Sequence, residues 1–292
     1  MSICIVCRER RAFPAKSISG VTYYLCDACG CIFADRTAID NGDGGSRKYD
    51  DEYWSNEMSA ARERCFGSSV VRVAETFLYA RRDVRNFIDI SCGSGLLLDA
   101  ITTLNGTVGS RMVGVEPFPP PPAWRSSHPN YLIGYARDVQ EKMDAGVCIE
   151  VIEHLWPDTL ESLVSDLAAI SNDKALYYFN SAQPSFVIAN NYSYMSPFEL
   201  GHVVSYSIKS VRDIFGRHGF TIIPLPGRDW AFLAEYNGEP NVGANELYNR
   251  VWTPTAENLT ALQQGPFGHM LYTTAVEAAR CYLESALRAG SA

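Results

Sequence analysis

Residues 89–95 read Asp89-Ile-Ser-Cys-Gly-Ser-Gly95. They join a short apolar strand pattern at Asn86–Ser91 to a helical pattern at Ser94–Leu104. Glycines at such a turn let the backbone approach a ligand closely, because no Cβ intervenes. The free amides at the start of the following helix can face a polar or anionic group. The segment predicts a cofactor loop, although an ordinary turn that holds two glycines would have the same pattern.

From this segment onward the chain alternates between strand and helix patterns. Further strands are predicted at Met112–Glu116, Tyr131–Tyr135, Gly146–Val151, Ala175–Asn180, Phe220–Leu225 and Trp230–Tyr236, and further helices at Asp158–Ile170 and Ser207–His218. Alternation of this kind implies βαβ units and a mainly parallel sheet. The last two strands are joined by a short turn and should pair as a hairpin. The expected fold class is therefore α/β, with a mainly parallel sheet closed by an antiparallel hairpin.

The patterns divide the chain of 292 residues into four parts. These are a cysteine-rich segment (1–35), a polar linker with two helices (36–85), the α/β core (86–238) and a helical extension (239–292). The two helices are expected at Asp50–Arg64 and Ser68–Arg82, with the polar linker before them at 36–48. The extension could cap the active site or form the interface of a homodimer.

The class of cofactor follows from the spacing of the glycines. A dinucleotide site requires G-x-G-x-x-G, and Leu98 stands where the third glycine would be if the motif began at Gly93. This disfavours a nicotinamide-dependent oxidoreductase. Glu116 ends the next strand, 21 residues after Gly95, where a carboxylate can accept hydrogen bonds from ribose hydroxyls.

Three motifs in this region resemble those of the Rossmann-like S-adenosylmethionine-dependent methyltransferases. The loop resembles their D-x-G-x-G-x-G pattern with Ser91 in place of the first glycine, Glu116-Pro117-Phe118 resembles their acidic and adenine-side residues, and Asp144–His154 resembles their fourth strand with its Glu-Val-x-Glu-His ending. The resemblance implies a closing hairpin in the sheet. It also implies that S-adenosylmethionine is bound by Asp89, Ser91, Cys92, Gly93, Ser94, Gly95, Glu116, Pro117, Phe118, Glu150 and Val151.

The N-terminal cysteines have the spacing of a zinc site. Cys4-x2-Cys7-x18-Cys26-x2-Cys29 is the pattern of a four-cysteine zinc ribbon, with Cys31 as a substitute ligand and free buried cysteines as the alternative. Four thiolates close the coordination shell, so the Zn²⁺ should be structural rather than catalytic. We expect zinc removal to unfold the first 35 residues and to leave cofactor binding largely intact.

The order of these parts resembles a bacterial group of methyltransferases. Members combine a zinc ribbon, a segment like Tyr49-Asp-Asp-Glu-Tyr53-Trp54 and a methyltransferase core, and often accompany clusters for surface polysaccharide, deoxysugar or natural-product synthesis. The resemblance covers roughly residues 1–236. It implies that Tyr53 lies near the cofactor and that the acceptor is a small polar molecule, such as a sugar or a natural-product precursor.

Catalysis needs little beyond alignment and removal of a proton, because a sulfonium methyl group is already activated. Histidine suits proton removal near neutral pH. His154 and His202 are the main candidates for a general base, with Glu153 as a third, and each could instead be a structural residue. An aromatic wall for the acceptor, or simple core packing, is the expected role of Tyr192, Tyr194, Phe198 and Trp230.

Net charge and hydropathy bear on partners and location. The net charge of −8 disfavours nucleic acid as a partner, since RNA binding normally needs a broad positive surface. Two alternative functions stay open. One is an RNA methyltransferase that uses the zinc ribbon to bind an RNA stem, and the other is a non-catalytic scaffold with this fold. The chain has no apolar run of membrane-spanning length and no signal-peptide pattern, so no membrane partner and a cytoplasmic location are expected.

Overall fold

The computed structural model describes residues 2–40 and 51–289. The strands in chain order are β1 (Ala12–Ile18), β2 (Val21–Cys26), β3 (Ile32–Ala34), β4 (Phe87–Ile90), β5 (Met112–Glu116), β6 (Tyr131–Ile133), β7 (Met143–Ile149), β8 (Ser171–Asn180), β9 (Val204–Ser205), β10 (Phe220–Pro224) and β11 (Ala231–Tyr236). The helices are α1 (Arg36–Asp40), α2 (Asp51–Arg64), α3 (Val70–Tyr79), α4 (Leu96–Leu104), α5 (Gly106–Gly109), α6 (Pro157–Ile170), α7 (Pro184–Ala189), α8 (Ile208–Gly216), α9 (Ala244–Trp252), α10 (Ala256–Gln263) and α11 (Gly268–Ala289).

The larger sheet has seven strands in the order β10-β11-β8-β7-β4-β5-β6. The five strands from β8 to β6 are parallel, whereas β11 pairs antiparallel with both β8 and β10. The expected α/β class with a closing hairpin is therefore confirmed. Because β4 and β7 are neighbours, the carboxyl ends of the cofactor loop strand and of the Glu150 strand lie side by side.

Several boundaries differ from those expected. The linker begins with the short helix α1, and the rest of the expected linker, residues 41–48, lies outside the described residues. The second N-terminal helix ends at Tyr79 rather than Arg82, because Ala80 is already extended while its N–H still bonds to the Thr76 carbonyl. Strand β7 begins at Met143 and ends at Ile149, earlier than the apolar run suggested.

The smaller sheet joins the cysteine-rich segment to the core. Its order is β1-β2-β3-β9, so the fourth strand comes from the chain after β8 and α7. The β1–β2 turn consists of Ser19 and Gly20, both with positive φ (49° and 81°), which is the geometry that favours glycine in a two-residue hairpin loop. The ribbon is thus hydrogen-bonded to the core along a strand.

Apolar side chains fill both faces of the large sheet. One cluster lies under α6, α8 and the ribbon, and the other lies under α3, α4 and the C-terminal helices. Arg228 and Glu75, both buried, form an ion pair that Tyr178 and the Ala278 carbonyl complete, so α11 is tied to α3 and β8. Truncating one partner of such a pair typically costs about 3–5 kcal/mol. Among the helices that the structure describes, none is long and apolar enough to cross a membrane.

Candidate functional site

The four N-terminal cysteines of the predicted zinc site lie together. Their sulfurs pair at 3.7 Å (Cys4 to Cys29) and 3.6 Å (Cys7 to Cys26). Four sulfurs about 2.3 Å from a tetrahedral ion would lie about 3.8 Å apart, so these separations are compatible with zinc. The Val6 amide points at the Cys4 sulfur (3.4 Å), as amides around zinc thiolates do. Cys31 is not one of these four; its thiol contacts that of Cys29 and lies 3.9 Å from the Ser207 hydroxyl.

A cavity of about 310 Å³ opens at the carboxyl ends of β4, β5 and β7. This is the edge of a parallel α/β sheet where ligands bind. The cavity is lined by Trp54, Ser91, Gly93, Glu116, Pro117, Phe118, Tyr135, Arg137, Glu150, Val151, His154, Leu155, Thr159, Ser162, Leu163 and Asp166. No described residue of the C-terminal extension lines it, so the described part of the extension packs on the core rather than capping this cavity.

The glycine-rich loop takes its shape from left-handed backbone. Ser91, Gly93 and Gly95 have φ of 54°, 57° and 78°. At Gly95 a Cβ would lie 2.7 Å from the Tyr131 ring, so glycine is required there by both conformation and space. Ser91 adopts the conformation that a glycine would adopt more easily, which explains physically why the family pattern has glycine at this position.

Glu116 ties the loop to the next strand. Its carboxylate accepts hydrogen bonds from the amides of Gly93 and Phe118, each at 2.8 Å. Burial raises the pKa of Glu116, and the two amides oppose that rise. Each oxygen keeps a lone pair for a further donor. Asp89 lies buried beneath the loop, where desolvation and the nearby Glu116 charge raise its pKa to about 8.

The expected cofactor residues fall into two groups. Seven line the cavity, namely Ser91, Gly93, Glu116, Pro117, Phe118, Glu150 and Val151. Asp89, Cys92, Ser94 and Gly95 are not among the lining residues and lie in the loop behind it. The Tyr53 side chain lies outside the described residues, while its neighbour Trp54 lines the cavity.

Sequence reasoning missed one wall of the cavity. Thr159, Ser162, Leu163 and Asp166 form one face of α6, with the spacing of a helical stripe. The stripe is visible in the sequence, but it mixes polar and apolar residues and so does not stand out as a binding face. Tyr135 and Arg137 follow β6 at the same sheet edge. Their position just after a predicted parallel strand was the sequence signal that could have identified them as cavity residues.

The two candidate histidines meet in space. The rings of His154 and His202 lie 4.8 Å apart, edge to face. Nδ1 of His154 lies 3.1 Å from the Gly201 carbonyl, and Nδ1 of His202 lies 2.6 Å from the Tyr194 carbonyl. A carbonyl can only accept, so each neutral ring carries its proton on Nδ1 and its lone pair on Nε2. His154 lines the cavity, whereas His202 is buried behind it.

Next to these rings lie two carboxyl groups, of the cavity-lining Glu150 and the fully buried Glu153. The Tyr194 hydroxyl is 2.7 Å from Oε1 of Glu153 and 3.0 Å from Oε2 of Glu150. The Tyr194 hydroxyl has one proton and can donate it to only one of these two carboxyl groups. The other contact is a hydrogen bond only if that carboxyl group is protonated and donates to the Tyr194 oxygen. Burial, then the Glu153 charge, raises the pKa of Glu150 to about 8. Glu150 is therefore the protonated partner at neutral pH, and Tyr194 donates to the Glu153 carboxylate.

Glu153, His154 and His202 could also be considered as metal ligands. Their ligand atoms lie within 4.8 Å of one another, and Nε2 of His202 is 3.9 Å from Oε1 of Glu153. Tetrahedral zinc ligands at about 2.0–2.1 Å from the ion would lie about 3.4 Å apart. The Glu153–His202 separation is wider than that, whereas the two sulfur separations in the cysteine cluster match zinc, so proton chemistry suits this cluster better than metal binding.

The expected aromatic wall is only partly near this site. Tyr194 belongs to the buried cluster, and its ring lies 4.3 Å from that of His202. Trp230 instead packs on the opposite side of the sheet, under the Arg72 guanidinium (4.4 Å) and against Tyr282 (5.9 Å). For Trp230 the packing alternative is therefore correct.

Comparisons with known proteins agree with this arrangement. A family model described as a methyltransferase domain matches residues 58–225. That match spans the cofactor loop, Glu116 and the Glu150–His154 segment. A search of curated protein sequences found no match.

Three solved structures illustrate the structural likeness. One is an S-adenosylmethionine-bound amino pentose methyltransferase from Micromonospora echinaspora involved in calicheamicin biosynthesis (14% identity, coverage of 62% of this chain and 91% of that chain, TM-score 0.41). Another is DesVI from Streptomyces venezuelae (12% identity, 64% and 98%, TM-score 0.44). The third is magnesium protoporphyrin IX methyltransferase from Synechocystis (15% identity, 62% and 84%, TM-score 0.39).

Proposed function

The chain belongs to the family of S-adenosylmethionine-dependent methyltransferases, and from this premise we propose that it methylates a small polar acceptor, such as a sugar or a natural-product precursor. The single observation that carries the catalytic part is the position of His154. Its side chain lines the cavity beside Glu150 and Val151, and its Nδ1 is held by the Gly201 carbonyl. The basic Nε2 therefore belongs to a ring whose orientation is fixed at the sheet edge where ligands bind.

The residues around the cavity suit the cofactor. When bound, S-adenosylmethionine supplies a methyl group that its sulfonium has already activated. The loop Asp89–Gly95 would hold the methionine part with Glu150 and Val151, Glu116 would accept from the ribose hydroxyls, and Pro117 and Phe118 would flank the adenine. Phe118 is 72% exposed, which leaves its ring available to cover a planar group.

His154 then acts on the acceptor. With the cofactor bound, Nε2 of His154 would accept the proton of the acceptor hydroxyl as that oxygen takes the methyl group. Alignment of oxygen, carbon and sulfur supplies most of the rate, and proton removal adds about 10²–10⁴-fold. An acceptor carbon would need the same base, whereas a neutral amine attacks with its own lone pair.

Glu153 and His202 would support the base from behind. A carboxylate oxygen of Glu153 lies within 4.8 Å of one ring nitrogen of His154, and Glu153 is fully buried. A buried negative charge at that distance stabilises the imidazolium that forms on His154, because screening by water is weak there. We assign Glu153 and His202 as positioning residues, and His154 as the catalytic one.

The cysteine cluster has a separate role. We infer that Cys4, Cys7, Cys26 and Cys29 hold a structural Zn²⁺, as the sulfur separations of 3.6–3.7 Å support. With four protein ligands the ion has no open position for a substrate. The metal would stabilise a segment with too small a core to hold its shape alone.

The test uses the zinc-loaded protein and three measurements. Calorimetry measures binding of S-adenosylmethionine, and release of S-adenosylhomocysteine reports turnover with a panel of nucleotide-linked and free sugars. His154→Gln should bind the cofactor within about threefold of wild type and lose about 10²–10⁴-fold in turnover. His269→Gln, an exposed position on α11, is the matched control and should behave as wild type.

Three results would contradict the proposal in different ways. Failure of the wild-type protein to bind S-adenosylmethionine would reject the cofactor assignment. Normal turnover in His154→Gln would reject the base and leave the methyltransferase assignment standing. Turnover with a structured RNA but with none of the sugars would replace the small acceptor by RNA.

A further inference from the structure

The zinc ribbon contacts the segment that carries His202. Strand β9 begins two residues after His202 and pairs with β3 of the ribbon, with Phe33 opposite Val204. The Ala34 amide also donates to the Val203 carbonyl at 2.8 Å. The backbone that follows His202 is therefore a strand of the ribbon sheet.

Tyr23 makes a direct bond to His202 itself. Its hydroxyl donates to the His202 carbonyl at 2.7 Å across a separation of 179 residues in sequence. The Tyr23 side chain is wholly buried, and burial raises the pKa of its hydroxyl, so it remains a neutral donor. On the other side, the Val203 amide donates to the Glu153 carbonyl at 2.8 Å. His202 is thus held between the ribbon and the Glu153 segment.

The same strand leads into the metal cluster. Tyr23 lies on β2, which ends at Cys26. The turn after it docks on the start of α8, where the Lys209 ammonium donates to the Ala28 carbonyl at 2.6 Å and the Ser207 hydroxyl donates to the Cys29 carbonyl. A metal that fixes Cys26 and Cys29 therefore also fixes the strand that presents Tyr23.

We propose that Tyr23 is a positioning residue for His202, and that through it the zinc ribbon forms part of the catalytic side of the site. Metal binding by the four cysteines and the placement of His202 beside His154 are then linked. This inference rests on the proposed function in one respect, namely that His154 and His202 take part in catalysis. The linkage itself is a property of the fold and can be measured without an acceptor.

The experiment compares Tyr23→Phe with Tyr24→Phe in the zinc-loaded protein. The first change removes only the hydroxyl that bonds to His202. The second removes a hydroxyl from the next residue, whose ring stacks on Phe33 at 5.6 Å on the other side of the strand. Ring ¹⁵N spectra of labelled histidine report the tautomer of His202, with His202→Gln to assign its signal.

We expect wild type and Tyr24→Phe to show His202 with its proton on Nδ1. In Tyr23→Phe the His202 signal should shift or broaden, and zinc release to a chelator should be about two- to tenfold faster, the effect of one lost neutral hydrogen bond. Affinity for S-adenosylmethionine should stay within twofold, because Tyr23 does not line the cavity. Removing zinc from wild type should change the His202 signal in the same direction.

An unchanged His202 signal in both Tyr23→Phe and the zinc-free protein would overturn the inference. This failure is distinguishable from failure of the proposed function. If His154→Gln keeps full turnover while the His202 signal still follows zinc, the base is wrong and the linkage is right. If His154→Gln loses turnover while the His202 signal ignores Tyr23 and zinc, the linkage is wrong and the base is right.

Discussion

Glu150→Gln tests the buried proton between Glu150 and Tyr194. The glutamine amide has the shape of the protonated acid and, like it, can donate to the Tyr194 oxygen. The folded protein keeps the Glu150 proton until about pH 8, whereas an ordinary glutamate loses it near 4.5. Between these values the folded state binds more protons than the unfolded state. The contribution of Glu150 to stability is therefore fully present below pH 4.5 and is lost as pH rises through 8.

The size of the effect follows from the two pKa values. A difference of about 3.5, at 1.36 kcal/mol for each pKa unit, sets an upper limit of about 5 kcal/mol. Coupling to Glu153 divides part of this between the two groups, so we expect about 2–5 kcal/mol. Wild type should lose this much unfolding free energy relative to Glu150→Gln between about pH 5 and pH 9.

Urea unfolding of both proteins at five pH values measures this difference. Glu284→Gln on α11 is the control, because Arg280 lowers the pKa of Glu284 and that group stays ionised throughout the range. Its difference from wild type should not change with pH above about 6. Parallel stability curves for wild type and Glu150→Gln over the whole range would refute the protonated Glu150.

Two further predictions concern the loop and the metals. Ser91→Gly should raise the unfolding free energy by about 0.5 kcal/mol, because relief of left-handed strain (about 1–2 kcal/mol) exceeds the cost of the greater chain entropy of glycine in the unfolded state. Thermal unfolding measures this change. A loss of stability of more than about 1 kcal/mol would show that the serine side chain is itself stabilising. Elemental analysis should find one zinc per chain, reduced in Cys26→Ser and unchanged in His202→Ala, because the cysteine sulfurs have separations that match zinc. A second equivalent lost with His202 would mean that the histidine cluster binds a metal.

Much of the fold is readable from short-range patterns. The strand and helix boundaries around Asp89–Gly95, the closing hairpin and the cysteine pairs all depend on residues close together in the chain. The glycine spacing predicted the loop for the same reason, because the positive φ of Gly93 and Gly95 is a property of single residues. Boundaries were less accurate where a strand carries polar residues, as at the start of β8.

The arrangement of the catalytic cluster depended on tertiary structure. Histidine as a residue type was predictable, but the sequence ranked His154 and His202 equally, and only the fold places His154 at the cavity and His202 behind it. The bonds that distinguish them come from carbonyls of Gly201 and Tyr194, which carry no signal of their own in a sequence. The Glu150 proton likewise depends on burial and on Tyr194, which is 44 residues away in the chain.

The ribbon shows the same division most clearly. Cysteine spacing alone indicated a zinc site, because the ligands come in two C-x-x-C pairs whose geometry is local. That spacing suggested a separate module at the N-terminus. The pairing of β3 with β9 and the Tyr23–His202 bond join positions far apart in the chain, and a hydrogen bond between backbone groups or to a carbonyl leaves no side-chain pattern to read. Local chemistry therefore specified the metal site, and only long-range packing made it a neighbour of the histidine pair.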